Sequence, residues 1–412
     1  MASLTKKELQ KKYEEYKAQG LALDMTRGKP GVEQLDLSLP MLDLVTSKDY
    51  KTVAGADTRN YGGLDGIPEM KEIFKDFLEV SSTDEVIVGG NSSLTLMHDT
   101  ISHAVTHGFP ESKKPWGEQK VKFLCPSPGY DRHFSICEHF GIEMVTVPMT
   151  SKGPDMDVVE KLVAEDKSIK GIWVVPKYSN PTGITCSKKT VKRLATMKTA
   201  AKDFRIMYDN AYTVHHLSKE QDELANILEL AKEAGTENRV LIFGSFSKIS
   251  FAGAGVAAMG AAKINIDWMK GHLSMSTIGP DKLNQIRHTR FFKDMKGVEK
   301  HMKKHAKIIA PKFEAVIEIL EKELGDKGIA TWTNPNGGYF ISLDVPKGCA
   351  KEVVRLAAEA GVKLTAAGAT FPYKNDPKDE NIRIAPTLPS MGEIKLATRV
   401  LAVCVQLAAA KK

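Results

Sequence analysis

The decapeptide GSFSKISFAG, residues 244–253, sets one lysine, Lys248, at the end of an apolar run and flanks it with serines and glycines. A lysine beside a buried sheet either snorkels its ammonium to water or is held as an amine whose pKa is lowered by burial or by a neighbouring cation. In the second case its natural chemistry is a Schiff base with a carbonyl compound. Upstream, Asp209 ends the apolar run RIMYD. A buried carboxylate needs a cation or several donors, because an unpaired one would take up a proton instead. Asp209 therefore implies a positive partner.

Three more loops carry candidate chemistry. After DEVIVGG comes NSSLTLMHD, in which Asn91, Ser92 and Ser93 open a helix behind Gly89 and Gly90. Free backbone N–H groups, hydroxyls and the helix dipole suit an anion such as phosphate, an ordinary N-cap being the alternative. After VKFLCP comes SPGYDRHF, with Tyr130 and His133 behind a Pro-Gly turn. Tyr130 is either a lid stacked on a flat ligand or a surface aromatic. After GIWVVP comes KYSNPTG, where Asn180 offers a two-ended amide and Pro181 a candidate cis bond; a simple Asn-Pro turn is the alternative.

These loops follow short apolar runs that alternate with helical stretches from about residue 84 onward. The rhythm predicts an α/β fold, a mostly parallel sheet with helices on both faces, whose ligands sit beyond the carboxyl ends of the strands. After about residue 290 the pattern changes to a long helix (298–324), ATWTNPNGGYFISLDVP, a helix (349–360), IRIAP and a last helix (391–409). This reads as a smaller α+β domain to which the N-terminal segment returns. In the last helix Ile394, Ala397, Leu401, Cys404 and Ala408 recur at helical spacing and read as core or subunit packing.

At 42% hydrophobic and 26% charged, the 412-residue chain has a globular composition, which argues against disorder, collagen-like repeats and coiled coils. No apolar stretch is long enough for a membrane helix, and MASLTKKELQKKYEEYK reads as a charged amphipathic helix without a signal peptide's apolar core. A cytoplasmic protein with no membrane role is expected. The five cysteines lack metal-ligand spacing and read as reduced and mostly buried, so no metal is expected. The +7 formal charge is spread over helix faces, which argues against nucleic acid and suits anionic small molecules. GAGVAAMG mimics a dinucleotide fingerprint but is discounted, because no amphipathic helix is expected directly after it and the acidic residue is missing.

The ordered set DMTRGKPG, GGNSSLTLMHD, CPSPGYDRHF, YSNPTG, YDNAY, SFSKISFAGAGVA and GATFPYKNDPKDENIRIAPTLPS resembles the class I/II aminotransferases of fold type I, enzymes that use pyridoxal 5′-phosphate (PLP), and within them the type Ic aspartate aminotransferase subgroup. The resemblance runs from about residue 24 to the last helix. It implies an N-terminal arm and part of the small domain over 1–55, a large PLP-binding domain over 56–295 and a small C-terminal domain over 296–412. By the same resemblance Lys248 forms the internal aldimine and shuttles the proton, Asp209 pairs with the pyridinium nitrogen, and Asn180 and Tyr212 bond the phenolic oxygen. Tyr130 stacks on the ring, His133 orients Asp209, and Ser92, Ser93 and Ser245 form the phosphate cup. Tyr61 reaches the phosphate of a neighbouring subunit, which implies a homodimer with shared sites. Arg383 grips the substrate α-carboxylate and Gly28 closes over it. Arg27 is the first candidate for a distal carboxylate, with Lys29, Arg132, Arg287 and Arg290 behind it. One position departs from the pattern: many relatives have an arginine eight residues after the lysine, and Val256 stands there.

The activity implied is amino transfer from an L-amino acid, aspartate first, to 2-oxoglutarate by a ping-pong mechanism. The alternative keeps the cofactor and acts on aromatic or aminoadipate-type donors, or as a cysteine-conjugate β-lyase. A regulator that retains the fold would need an added DNA-binding domain, for which the N-terminus is too short.

Overall fold

A computed structural model describes residues 5–411. The first four residues of the expected N-terminal helix and Lys412 lie outside the described residues; the helix itself runs over Lys6–Lys17 behind a Thr5 cap.

Eight strands form one sheet in the spatial order Val86–Val88, Ala257–Ala261, Val240–Ser245, Arg205–Asp209, Ile169–Val174, Lys122–Ser127, Glu143–Thr150, Gly153–Pro154. The pairs from Val240–Ser245 through Glu143–Thr150 are parallel, and the outer additions are antiparallel. Parallel strands covered on both faces lose polar alternation, and every residue of Ile169–Val174 and of Arg205–Asp209 is buried. Successive side chains feed opposite cores: Ile206, Tyr208 and Ile242 join the apolar cluster on one face, Met207, Leu241 and Phe243 the cluster on the other.

A third apolar cluster belongs to the three-stranded antiparallel sheet of Thr331–Trp332, Ile341–Asp344 and Asn381–Ile384 and the helices packed on it. The N-terminal segment returns to this part, as Leu23–Asp24 pairs in parallel with Val362–Lys363 and Tyr13 donates to the Leu356 carbonyl at 3.0 Å. The stripe Ile394, Ala397, Leu401, Cys404, Ala408 of the helix Met391–Ala409 lies inside this core. All five cysteines are free and buried, and no helix among the described residues is long and apolar enough to cross a membrane. After GAGVAAMG a helix follows, Lys263–Ser276, with only a weak apolar stripe. The motif still fails as a dinucleotide fingerprint: Gly253 and Gly255 precede the strand Ala257–Ala261 instead of joining a strand to a helix.

The helix Met295–Leu324 joins the two parts, with Val298 and Met302 in one core and Phe313, Val316 and Leu320 in the other. Between them a polar seam crosses the molecule. His301 and His305 approach through their Nε2 atoms at 3.0 Å, and His305 Nδ1 lies 3.1 Å from the Gln34 amide. Gln34 in turn donates to the Tyr339 hydroxyl at 2.9 Å.

Burial pushes His288 and His301 down to about 4 and His305 to about 3, so the folded protein holds all three neutral. Unfolded histidine titrates near ~6.5. The stability gained from neutral burial is therefore complete above about pH 6.5 and is lost as pH falls, by up to about 1.4 kcal/mol per pH unit for each histidine. The melting temperature should stay level down to about pH 6.5 and then drop well before carboxylates titrate; a level curve to pH ~5 would contradict this.

Candidate active site

The parallel strands end on one edge of the sheet at Ser127, Val174, Asp209 and Ser245, and the loops that follow them converge there. Asp209 is 2% exposed, and its Oδ2 lies 2.9 Å from His133 Nε2. His133, on the helix Asp131–His139, is held flat by Trp173, with ring centroids 4.3 Å and planes 9° apart. The other oxygen, Asp209 Oδ1, is equally buried and has no hydrogen-bond partner. It is an acceptor for a donor that the chain does not itself supply, since a stripped carboxylate oxygen otherwise costs about 1–3 kcal/mol or more.

Lys248 sits in a loop cinched by its own backbone: Ile249 and Ser250 donate to the Phe246 carbonyl, and Phe246 donates to the Val256 carbonyl. Its Nζ lies 5.2 Å from the centroid of the Tyr212 ring. Burial holds its ammonium below the ordinary lysine range, with the charge of Asp209 opposing the shift. Tyr212 is buried, stacks on Tyr339 at 6.0 Å and has its hydroxyl pKa raised, chiefly by burial. Tyr130 precedes the His133 helix and meets the His133 ring edge-on at 4.9 Å. Asn180 is 1% exposed, and both Asn180–Pro181 and Ser127–Pro128 are cis.

Ser92 caps the helix Ser93–His107 by accepting from Leu94 N at 3.2 Å; Ser93 is buried and Ser245 half-buried. Asn91, which the sequence placed with Ser92 and Ser93 in this loop, sews it to the lysine loop. Its Oδ1 accepts from Gly255 N at 2.6 Å, its Nδ2 donates to the Ala252 carbonyl at 3.3 Å, and its own carbonyl accepts from Ser247 Oγ at 2.8 Å. A Cβ at Gly255 would sit 2.9 Å from Ser247 Cα and 3.1 Å from the Asn91 carbonyl oxygen, which is why the position is glycine. Val256 is 1% exposed in the apolar core, so no cation occupies that place. A cation does stand behind the loop: Arg287 donates to Asn284, whose amide donates to the Ala254 and Gly255 carbonyls, and Arg287 Nε is buried without a partner.

Arg383 is 5% exposed, with its guanidinium 4.9 Å over the Phe340 ring. It donates from Nη1 to Asp131 Oδ1 at 2.8 Å and to Asn180 Oδ1 at 3.2 Å. Gly28 lies against the same ring, since a Cβ there would come within 2.7 Å of Phe340 Cζ. Arg27 is exposed. Arg290 is withdrawn as a substrate candidate because it is spent on Asp49, at 2.5 Å, and on backbone carbonyls of Asp49 and Lys51. Arg132 is exposed on the outer side of its helix, in a concavity with Thr95, His98 and His139. Tyr61 is 83% exposed and is not brought to this chain's own site.

Sequence reasoning passed over Asp131, Trp173, Tyr339 and Phe340. The one signal for the last two was the pair of glycines in NGGYF: a Cβ at Gly337 would sit 2.3 Å from the Tyr178 ring, so these glycines let the two parts of the chain close on each other. A cavity of about 940 Å³ lies elsewhere, between residues 213–221 and the helix Met295–Leu324, and is lined by none of the candidate site residues.

A family model described as aspartate amino-transferase matches residues 1–412. The chain is 49% identical over 405 residues to a Corynebacterium glutamicum protein named aspartate aminotransferase, covering 98% of this chain and 93% of that one. It superposes on the crystal structure of an aspartate transaminase from Corynebacterium glutamicum with a TM-score of 0.96 at 48% identity, covering 98% and 96% of the two chains. The α-aminoadipate aminotransferase LysN of Thermus thermophilus, solved with N-(5′-phosphopyridoxyl)-L-leucine, shares the fold, with a TM-score of 0.77 at 21% identity over 97% and 96% of the chains.

Because Gly28 has no room for a Cβ against Phe340 and Tyr339, Gly28→Ala should destabilise the protein by about 1–3 kcal/mol. A urea midpoint equal to that of the unaltered protein would show that the segment yields freely.

Proposed function

The chain belongs to the aspartate amino-transferase family and is an aminotransferase, and on that premise we propose that it moves an amino group between aspartate and 2-oxoglutarate by alternating half-reactions on a single PLP site. The observation that carries this reading is the buried, unpartnered Oδ1 of Asp209, braced through Oδ2 by His133, in the same site as a lysine of lowered pKa. The residues present fit PLP group by group. Asp209 Oδ1 suits the ring N–H, Asn180 and Tyr212 the phenolic oxygen, and Tyr130 the ring face. Ser92, Ser93, Ser245 and the helix N-terminus at Ser93 suit the phosphate, and Lys248 suits the aldehyde. When bound, PLP supplies an electron sink for the charge left on the substrate Cα.

The remaining work falls to the chain. Asp209 Oδ1 would accept from the protonated ring nitrogen, while Oδ2 is braced 2.9 Å from His133, whose own orientation is fixed by Trp173. A lowered lysine pKa leaves more neutral amine near pH ~7, which is the form able to attack a carbonyl and to accept the Cα proton. Arg383 holds the α-carboxylate with a planar fork, Gly28 closes over it, and Arg27 is the candidate for the distal carboxylate of aspartate. Tyr61, exposed on its own chain, is read as reaching the phosphate of a second copy in a homodimer. Five free, buried cysteines support a reducing, cytoplasmic setting. A division into arm, large and small domains near residues 55 and 295 belongs to the same reading.

Adding aspartate alone to the PLP-loaded protein should convert its absorption to that of the cofactor's amine form. An unchanged spectrum with aspartate, but conversion by an aromatic or aminoadipate-type donor, would reassign the substrate. Borohydride reduction followed by peptide mass analysis should label Lys248, and Lys248→Ala should lose at least about 10²–10⁴-fold in turnover.

A further inference from the structure

Arg383 is held from one side. Its Nη1 gives the 2.8 Å ion pair to Asp131 Oδ1 and the longer 3.2 Å bond to Asn180. Its Nη2 has only a 3.3 Å bond to Thr365 Oγ1, and its Nε is buried with no partner at all. In a planar guanidinium the N–H directions are rigidly related, so whatever fixes Nη1 also aims the opposite edge.

Asp131 is suited to do that fixing. It is the first residue of the helix Asp131–His139, where the helix dipole favours a negative charge, and the same helix carries His133 to Asp209. Its side chain is 33% exposed against 5% for Arg383, so its carboxylate stays partly hydrated while the guanidinium does not. Without Asp131, Arg383 would keep only two long bonds to neutral groups.

We propose that Asp131 is a positioning residue: it grips Arg383 by Nη1 and thereby turns the free Nε edge toward the substrate α-carboxylate. The proposal rests on the reading of Arg383 as the α-carboxylate anchor. Two carboxylates then share one arginine from opposite edges, the resident one for aim and the incoming one for binding. This differs from a competing role, in which Asp131 would occupy the edge that substrate needs and its removal would tighten binding.

The test uses the PLP-loaded protein and succinate, which carries carboxylates but no amino group, with the dissociation constant measured by calorimetry beside steady-state kinetics for aspartate. Asp131→Ala should weaken succinate and raise KM for aspartate by about tenfold, the scale of one charge-assisted hydrogen bond, while kcat changes much less. Asp131→Asn retains a carbonyl oxygen that can accept from Nη1 and should restore most of the affinity. Tighter succinate binding in both variants, or no change in Asp131→Ala, overturns the proposal. Arg383→Lys separates the two readings: if it leaves succinate binding intact, Arg383 is not the anchor, whereas if it weakens binding and Asp131→Ala does not, only the role of Asp131 falls.

Discussion

A carboxylate with one satisfied and one unsatisfied oxygen, sealed at the end of a buried strand, is the constraint on which this site depends. The contrast with the opposite end of the sheet is instructive. There Asp203 is also buried, but one of its oxygens accepts from Lys170 at 2.6 Å and the other from Ser112 and Trp116, so its charge is closed by the chain itself. Arg205, beside it, is fully buried and paired with Glu111. Both ends of the sheet bury charge, and at the carboxyl end Asp209 leaves an oxygen open. Because removing that group's water without replacing it is costly, the fold tolerates Asp209 in a form that a cationic ring nitrogen would complete.

The second constraint is how Lys248 is kept in place. Its loop is cinched by Phe246 and Val256 on the large sheet and sewn by Asn91 to the loop that opens the helix Ser93–His107. From the other part of the chain, the Tyr339 hydroxyl reaches the Lys248 carbonyl at 3.4 Å and is tied through Gln34 to His305 and His301, whose ring returns to the Ile249 carbonyl at 2.9 Å. The lysine backbone is thus gripped from both cores. Glycines make the approach possible: Gly28 against Phe340 and Gly337 against Tyr178 remove the one atom that would hold the surfaces apart.

Much of this was legible in the residues. Lys248, Asp209, Asn180 and Tyr130 each follow a recognisable apolar strand, and ligands in open α/β sheets gather at those strand ends. Other parts were not. Asp131 meets Arg383 across 252 residues of sequence, and Asn91 meets Gly255 across 164; nothing local marks either pair. Arg290, a candidate behind Arg27 along the sequence, is spent on Asp49, which no local pattern marks. The helix after GAGVAAMG went unforeseen because Lys263–Ser276 carries only a weak apolar stripe, with Asn265 buried beside Ile266 and Met269.

What the sequence alone determined is the identity and order of the strand-end residues, since backbone hydrogen bonding and side-chain periodicity act over a few residues and leave a readable pattern. What only the tertiary structure decided is which polar groups find partners and which are left open. Asp203 precedes the strand that Asp209 ends, and the order of residues does not show which of the two finds its partners within the chain. Their difference comes from which strands and helices end up adjacent, and that adjacency is settled by packing between segments far apart in the sequence.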